Sequence, residues 1–537
     1  MLDSFLIENI LRRVFNGEFT MNELYNLDAL NLTSINSEKA ICMDYPDPDV
    51  IRVGSTYYMV STTMHFFPGC EILSSTDLIN WKHACYVYEK LDSTNGQTLS
   101  DDTGIYGKGM WAATIRYHID TFYIMFVCND THKTYLYTIK SPEGILDESY
   151  SFKWNKQNVE GFYHDCSLLF DSDNEGNTHI YVAYGNTDVY LTELAPDFSG
   201  PLAGGLHRLI VSDKGNPMLG YEGSHLYKIN GKYYLFLIHS TRDAWKRTEA
   251  CFISDSLTGD FVGGDILNDD WGYCNSGIAQ GGIVDTPDGN WYALLFQDRG
   301  AVGRIPILAK MHFDGDTPVI DKEYSYLKTS NRWQFNHEPN LDCIKVETLN
   351  SNIASDALTN AVINNPNSIS ISITTNELCS NILTAKNTIT SRLYYPTTDV
   401  NVTLDASKLK DGDHAGLCIL QGCYGLIGVR RDNDKLVLYS EEKKPLDNGA
   451  FTYESETTTT DITEINNASI RLGFSVDFTD MKDEARFYYY DNDNNKILLP
   501  LIHKMYFKLD HFTGNRAGLF MYSTKNTGGE ARFSNFK

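Results

Sequence analysis

One arrangement of apolar and polar positions returns five times in the first part of the chain. An apolar run leads into a short turn rich in Gly, Asp or Asn, then into aromatic and further apolar residues. The copies are DVIRVGSTYYMVST from Asp49, ATIRYHIDTFYIMFV from Ala113, CSLLFDSDNEGNTHIYVAYG from Cys166, SHLYKINGKYYLFLI from Ser224 and GGIVDTPDGNWYALLF from Gly281. Runs joined by such turns predict β-hairpins. The second-strand anchors Tyr58, Tyr123, Tyr181, Tyr234 and Tyr292 recur every roughly fifty to sixty-five residues, the length of one four-stranded blade. The rest of each period supplies the outer strands, as EILSSTDLINWKHACYVY does after the first hairpin. Five copies predict a five-bladed β-propeller over residues 41–325. A β-sandwich there would need shorter and more even strand spacing.

Beyond that region the texture changes to strict alternation: SISISIT, DVNVTLD, KLVLYSE, SIRLGFSVDF and EARFYYYD. Period-two alternation marks half-buried antiparallel strands. Residues 326–537 are therefore expected to form a β-sandwich of jelly-roll, concanavalin-like type, making the chain all-β. Residues 1–40 form an N-terminal extension outside this scheme. In it Ile7, Ile10, Leu11, Val14 and Phe15 recur at helical spacing and predict a short amphipathic helix.

Composition narrows the function. The 537 residues exceed what one core ordinarily holds. A formal net charge of −25 argues against nucleic acid and against an anionic membrane surface, because both call for clustered Lys and Arg. A neutral ligand suits it better. The 12 % aromatic content fits a β-rich core and also suits carbohydrate, whose C–H faces stack on rings. The 11 Cys are scattered and form no CxxC pair, which reads as small buried core residues in a reducing compartment. The first residues, with Asp3 and Glu8 and no basic n-region, make a poor signal peptide, and no run of eighteen apolar residues occurs. A cytoplasmic location is expected.

The blade repeat suggests where chemistry gathers. Inner strands surround the axis, so residues just before them meet at one mouth of the channel. Those residues are Asp47, Trp111, Asp165, Glu222 and Gln280. Three of five are acidic. Glycoside hydrolysis needs a general acid on the leaving oxygen and a second carboxylate, and a third carboxylate nearby raises the acid's pKa. Each residue also has a plainer reading. Asp47, between Pro46 and Pro48, suits a turn; Asp165 suits a local cap; Glu222 suits a surface ion pair with Lys; Trp111 suits the core.

These motifs resemble glycoside hydrolase family 43. DYPDPDVIRVGSTYYMVSTT looks like the family's opening blade, FYHDCSLLFD and YEGSHLYKINGKYYL like its second and third acidic motifs, and GGIVDTPDGNWYALLFQDRGAVGRIPIL like its fifth blade. NRWQFNHEPN, AKNTITSR and GDHAGLCILQGCYGLIGV look like the sandwich appended to the family's β-xylosidases. The resemblance implies Asp47 as general base, Asp165 as the residue that orients and tunes the acid, and Glu222 as general acid, in one inverting displacement. It further implies that Arg304 contacts hydroxyls of the terminal sugar, with Trp111, Phe66 and Met64 near the sugar subsites. Gln280 stands where many members carry a His of a sugar-contacting or calcium-bound network. The chemistry itself calls for no cofactor, a structural Ca²⁺ near the axis stays open, and no HExxH or similar spacing points to a catalytic metal. The implied activity is exo-release of xylose from β-1,4-xylo-oligosaccharides. An α-L-arabinofuranosidase or dual enzyme acting on arabinoxylo-oligosaccharides would share every residue named. A homo-oligomer is compatible with all of this. A retaining fructosidase would need a WMNDPN-type motif in place of DYPDPDV, and a non-catalytic sugar-binding protein would not need all three carboxylates.

Overall fold

The computed structural model describes residues 42–99, 105–173, 175–348, 369–445, 455–508 and 512–536. The expected N-terminal helix lies outside these residues. The architecture is all-β, a five-bladed propeller followed by a sandwich.

Each predicted hairpin opens a blade. The inner strands are Asp49–Val53, Met110–His118, Ser167–Ser172, Glu222–Ile229 and Ile278–Asp285, and each is followed outward by three more antiparallel strands. Turn chemistry explains the tight hairpins. Asn230 and Gly231 hold φ of 50° and 82° between Ile229 and Lys232, and Ile119 and Asp120 hold 41° and 58° between His118 and Thr121. Positive φ at both central residues matches the twist of the flanking strands. The apolar faces pack blade against blade: one cluster joins the first and second blades through Val60, Ile72, Ile115 and Phe126, and another joins the first and fifth through Val50, Met59, Val284 and Leu294. The ring closes where Pro48 O accepts from Gly282 N at 3.1 Å and Arg52 meets Asp285 at 2.5 Å.

The sandwich consists of two seven-stranded sheets, one centred on Asp413–Leu420 and Arg516–Ser523, the other on Thr397–Asp405 and Ser469–Asp477. It is bound to the propeller by buried charge. Arg392 of the sandwich places Nη1 3.1 Å from Glu71 Oε2 and donates Nε to Asp44 O at 2.9 Å. Nine of the eleven cysteines are buried and none is in a disulfide. Among the described residues no helix is long and apolar enough to cross a membrane.

Candidate active site

The inner strand of each blade runs away from one mouth of the channel. Asp47 and Asp165 precede their strands, as expected. Trp111, Glu222 and Gln280 instead lie within theirs, because bulges at Met110/Ala113, Glu222/His225 and Ala279/Gly281 insert residues into the ladder. A bulge re-aims a side chain without ending the strand. Asp47, Asp165 and Gln280 take φ of 51°, 48° and 51°, so the re-aiming is shared across blades.

Asp47 is buried and held on both oxygens. Thr62 Oγ1 donates to Oδ2 at 2.5 Å, and Arg304 Nη1 donates to Oδ1 at 2.5 Å. Arg304 opens the third strand of the fifth blade, where Asp298 Oδ1 accepts from its Nε at 3.2 Å. Its placement depends on the sandwich. Asp44 accepts from Arg304 N and from Gly514 N, each at 2.8 Å, and Ala301 N donates to Asp483 at 2.9 Å. Gly303, at φ 103°, leaves no room for a side chain: a Cβ would stand 2.1 Å from Asp44 Oδ1.

On the other side lie Asp165 and Glu222 with His164, which the sequence reading passed over. Its Nε2 is 3.7 Å from both Asp165 Oδ1 and Glu222 Oε2, and the three groups present atoms within 4.8 Å of one another. Gly223 N donates to Asp165 Oδ2 at 3.2 Å, and Asn186 Nδ2, also unforeseen, donates to Glu222 Oε2 at 2.5 Å. Among the described residues Glu222 pairs with no surface lysine.

The electrostatics depart from the expected scheme. Burial opposes charge on His164, but Asp165 and Glu222, with Asp47 beyond, lift it to about 9. Burial, with the charges of Glu222 and Asp47, raises Asp165 to about 7 against the pull of His164. Burial pushes Glu222 up too, but His164, Arg247 and Arg304 outweigh it and hold that carboxyl below its usual range. Asp165 was expected to lift Glu222. With an imidazolium between them, Asp165 is the lifted carboxyl. The three groups form one proton-holding cluster.

Aromatic rings wall the site. Trp111 is half-buried, its ring edge-on to Phe512 at 5.5 Å and 5.8 Å from that of His164. Phe512 comes from the sandwich, and the Arg304 guanidinium stacks on it at 3.9 Å. No motif in the propeller sequence points to it. Phe66 is buried under Arg516, 4.2 Å from its ring, and Met64 pairs with Met110 through two backbone hydrogen bonds. Both line a cleft beside the mouth, with Lys90 and Glu338 ion-paired at 2.8 Å across the domain boundary. Gln280 is buried beneath the Glu222 strand, its amide against Gly223 and its N–H on Glu249 at 2.7 Å.

The axis below is filled by charge of its own. Asp49 takes Arg116 Nη1 at 2.7 Å, Ile115 N at 2.8 Å, Val50 N at 3.0 Å and lies 3.2 Å from His225 Nδ1. Burial would raise this carboxyl, but Arg116 and His225 hold it well below the usual range. Calcium asks for six to eight oxygen ligands. A carboxylate already engaged by four donors, with a guanidinium as counter-charge, does not fit that need.

Comparisons with known proteins follow the same division. Residues 40–318 match the profile of glycosyl hydrolases family 43, and residues 322–537 that of the beta xylosidase C-terminal concanavalin A-like domain. A beta-xylosidase of Formosa agariphila is 25 % identical over 552 residues, covering 90 % of this chain and 87 % of its own. A non-reducing end alpha-L-arabinofuranosidase of Bacteroides ovatus is 26 % identical over 295 residues, covering 52 % of each chain. A bifunctional GH43-CE structure from Bacteroides eggerthii superposes with a TM-score of 0.75 at 33 % identity, over 93 % of this chain and 63 % of that one. The chain spans about half the length of a putative beta-xylosidase of Xylanibacter ruminicola, 49 % of it, at 26 % identity.

Proposed function

The chain belongs to glycosyl hydrolase family 43 and is a glycosidase, and on that premise we propose that it releases terminal xylose from β-1,4-xylo-oligosaccharides by a single inverting displacement. The observation that carries the reading is the convergence of Asp47, clamped by Arg304 and Thr62, with a cluster of His164, Asp165 and Glu222, two members of which feel its charge.

In this mechanism Glu222 protonates the glycosidic oxygen. Asp47 takes a proton from the water that attacks the opposite face of the sugar. The cluster holds its protons on His164 and Asp165, and one of them passes to Glu222 as the leaving oxygen takes its proton. Arg304 and Trp111 hold the terminal ring, and Phe512 covers it. A mouth covered by the sandwich favours action on chain ends. The enzyme acts on imported oligosaccharides in the cytoplasm.

A second reading has its own support. Curated relatives include an arabinofuranosidase and a xylosidase/arabinosidase, and the two pentoses present similar hydroxyl patterns. One assay separates the readings. Purified protein is compared on p-nitrophenyl β-D-xyloside and α-L-arabinofuranoside, then on xylo- and arabinoxylo-oligosaccharides. Faster release of arabinose than of xylose from the matched pairs would overturn the xylosidase reading. Retained configuration in the first product, followed by NMR, would overturn inversion. Asp47→Ala or Glu222→Ala should each lower turnover of an unactivated disaccharide by ~10²–10⁴-fold.

A further inference from the structure

The propeller repeat carries a second arginine to the mouth. Arg304 is the first residue of the third strand in the fifth blade, Arg304–Asp314, and Arg247 is the first residue of the third strand in the fourth, Arg247–Ser254. They occupy equivalent blade positions and share one carboxylate. Asp298 Oδ1 accepts from Arg304 Nε at 3.2 Å, and Oδ2 accepts from Arg247 Nε at 3.1 Å.

Their remaining N–H groups differ. Arg304 commits Nη1 to Asp47. Arg247 is only 3 % exposed, yet its buried Nη1 has no hydrogen-bond partner among the described residues. A buried guanidinium N–H left unmet is unfavourable and calls for an explanation. Arg247 also sits beside the acid, since its charge helps hold Glu222 down.

Directly beyond lies Trp245, on the mouth-side loop that joins Lys232–Ser240 to the Arg247 strand. Its ring stacks on Arg247 at 4.9 Å and is 38 % exposed. The loop is pinned: Thr241 N donates to Lys246 O at 3.2 Å, Thr241 Oγ1 to Ala244 O at 3.1 Å, and Lys246 Nζ to Asn268 O at 3.2 Å. An indole 38 % exposed on a held loop keeps part of its ring open to solvent.

We propose that Arg247 and Trp245 form the subsite for the sugar on the leaving-group side of the scissile bond. This rests on the glycosidase mechanism above. The acid protonates the leaving oxygen, so the departing sugar lies on the side of Glu222, where Arg247 stands. The base and Arg304 serve the terminal ring. Trp245 takes the C–H face of the departing pyranose on its open side, and Arg247, stacked on the indole and shielded from solvent, holds that ring in place beside Glu222. The ligand class is a neutral glycosyl unit of an oligosaccharide.

The test compares leaving groups. Wild type, Trp245→Ala and Arg247→Lys are assayed on xylobiose and on the xylosyl fluoride of matching anomeric configuration, whose leaving group is a single atom. Trp245 is at the surface, so its truncation spares the core. The expected result is a ratio of kcat/KM, xylobiose over fluoride, that falls roughly tenfold or more in both variants. A ratio within about twofold of wild type in both would overturn the assignment. A wild type that hydrolyses neither compound would instead overturn the xylosidase reading on which the assignment depends.

Discussion

Replacing His164 with glutamine removes the cation that separates the two acid-side carboxyls while keeping a polar side chain of similar reach. The imidazole nitrogen stands 3.7 Å from Glu222 Oε2, and the side chains are 18 % and 13 % exposed. At that distance a unit charge is worth about 4.5 kcal/mol at an effective dielectric of about 20 and about 1 kcal/mol in water. The site is mostly buried but open on one side, so the lost interaction lies between these limits. At 1.36 kcal/mol per unit, the Glu222 pKa should rise by roughly one to three units. The sign is unambiguous: an opposite charge favours the ionised carboxylate, and its removal favours the acid. Asp165, already raised to about 7 by burial and like charge, loses the same neighbour and moves the same way. The basic limb of the kcat/KM profile, where the general acid deprotonates, should therefore shift to higher pH. The assay is a pH profile on xylobiose for wild type and variant. Xylosyl fluoride serves as control, because its departure needs no proton from Glu222. A basic limb that stays in place or moves to lower pH would refute the cluster reasoning. So would an equal shift on the fluoride.

Three further outcomes follow from the same contacts. Glu71→Gln leaves Arg392 buried without its partner and should cost about 3–5 kcal/mol in denaturant unfolding, a loss under about 1 kcal/mol being inconsistent with a buried pair. Burial opposes Glu71's charge, but Arg392 and His83 bring its carboxyl down to about 2 from an ordinary 4.5. Its contribution is thus full above 4.5 and is lost as pH falls towards 2, a dependence that the Gln variant should lack. Phe512→Ala removes the ring under Arg304 and beside Trp111. It should lower kcat/KM by about 1–3 kcal/mol in activation terms, and an unchanged value would show that the sandwich does not shape the site. Arg116→Met strands Asp49 at the axis and should cost about 3–5 kcal/mol, whereas chelator treatment of the wild type should leave Tm and turnover unmoved; a Tm that drops in chelator would contradict an axis neutralised by arginine.

Much of this protein is local in origin and therefore readable along the chain. Hairpins such as the one turning at Asn230–Gly231 depend on residues a few positions apart, and their return at blade spacing dictates a propeller. The alternation of SISISIT and SIRLGFSVDF likewise dictates half-buried strands. The repeat also brought Asp47, Asp165 and Glu222 to one mouth, because equivalent positions in a closed ring face the same axis. His164 adjoins Asp165 and was legible only in hindsight, since nothing along the chain says that its ring turns between two carboxyls. Arg247 had a signal in its match to Arg304, which appears only when the repeat is extended to third strands. Phe512 and Asn186 had none.

What the tertiary structure alone decided is how these groups act on one another. Which carboxyl of the cluster is raised depends on distances, burial and three cations from three blades. Which guanidinium is spent on Asp47 and which keeps a free N–H depends on a carboxylate shared between the fourth and fifth. The place of Phe512 over Arg304 depends on the second domain docking through Arg392, Asp44 and Asp483. Strand and turn preferences act over a few residues, whereas electrostatics and packing act through space, and ring closure and domain docking bring distant residues within a few ångströms.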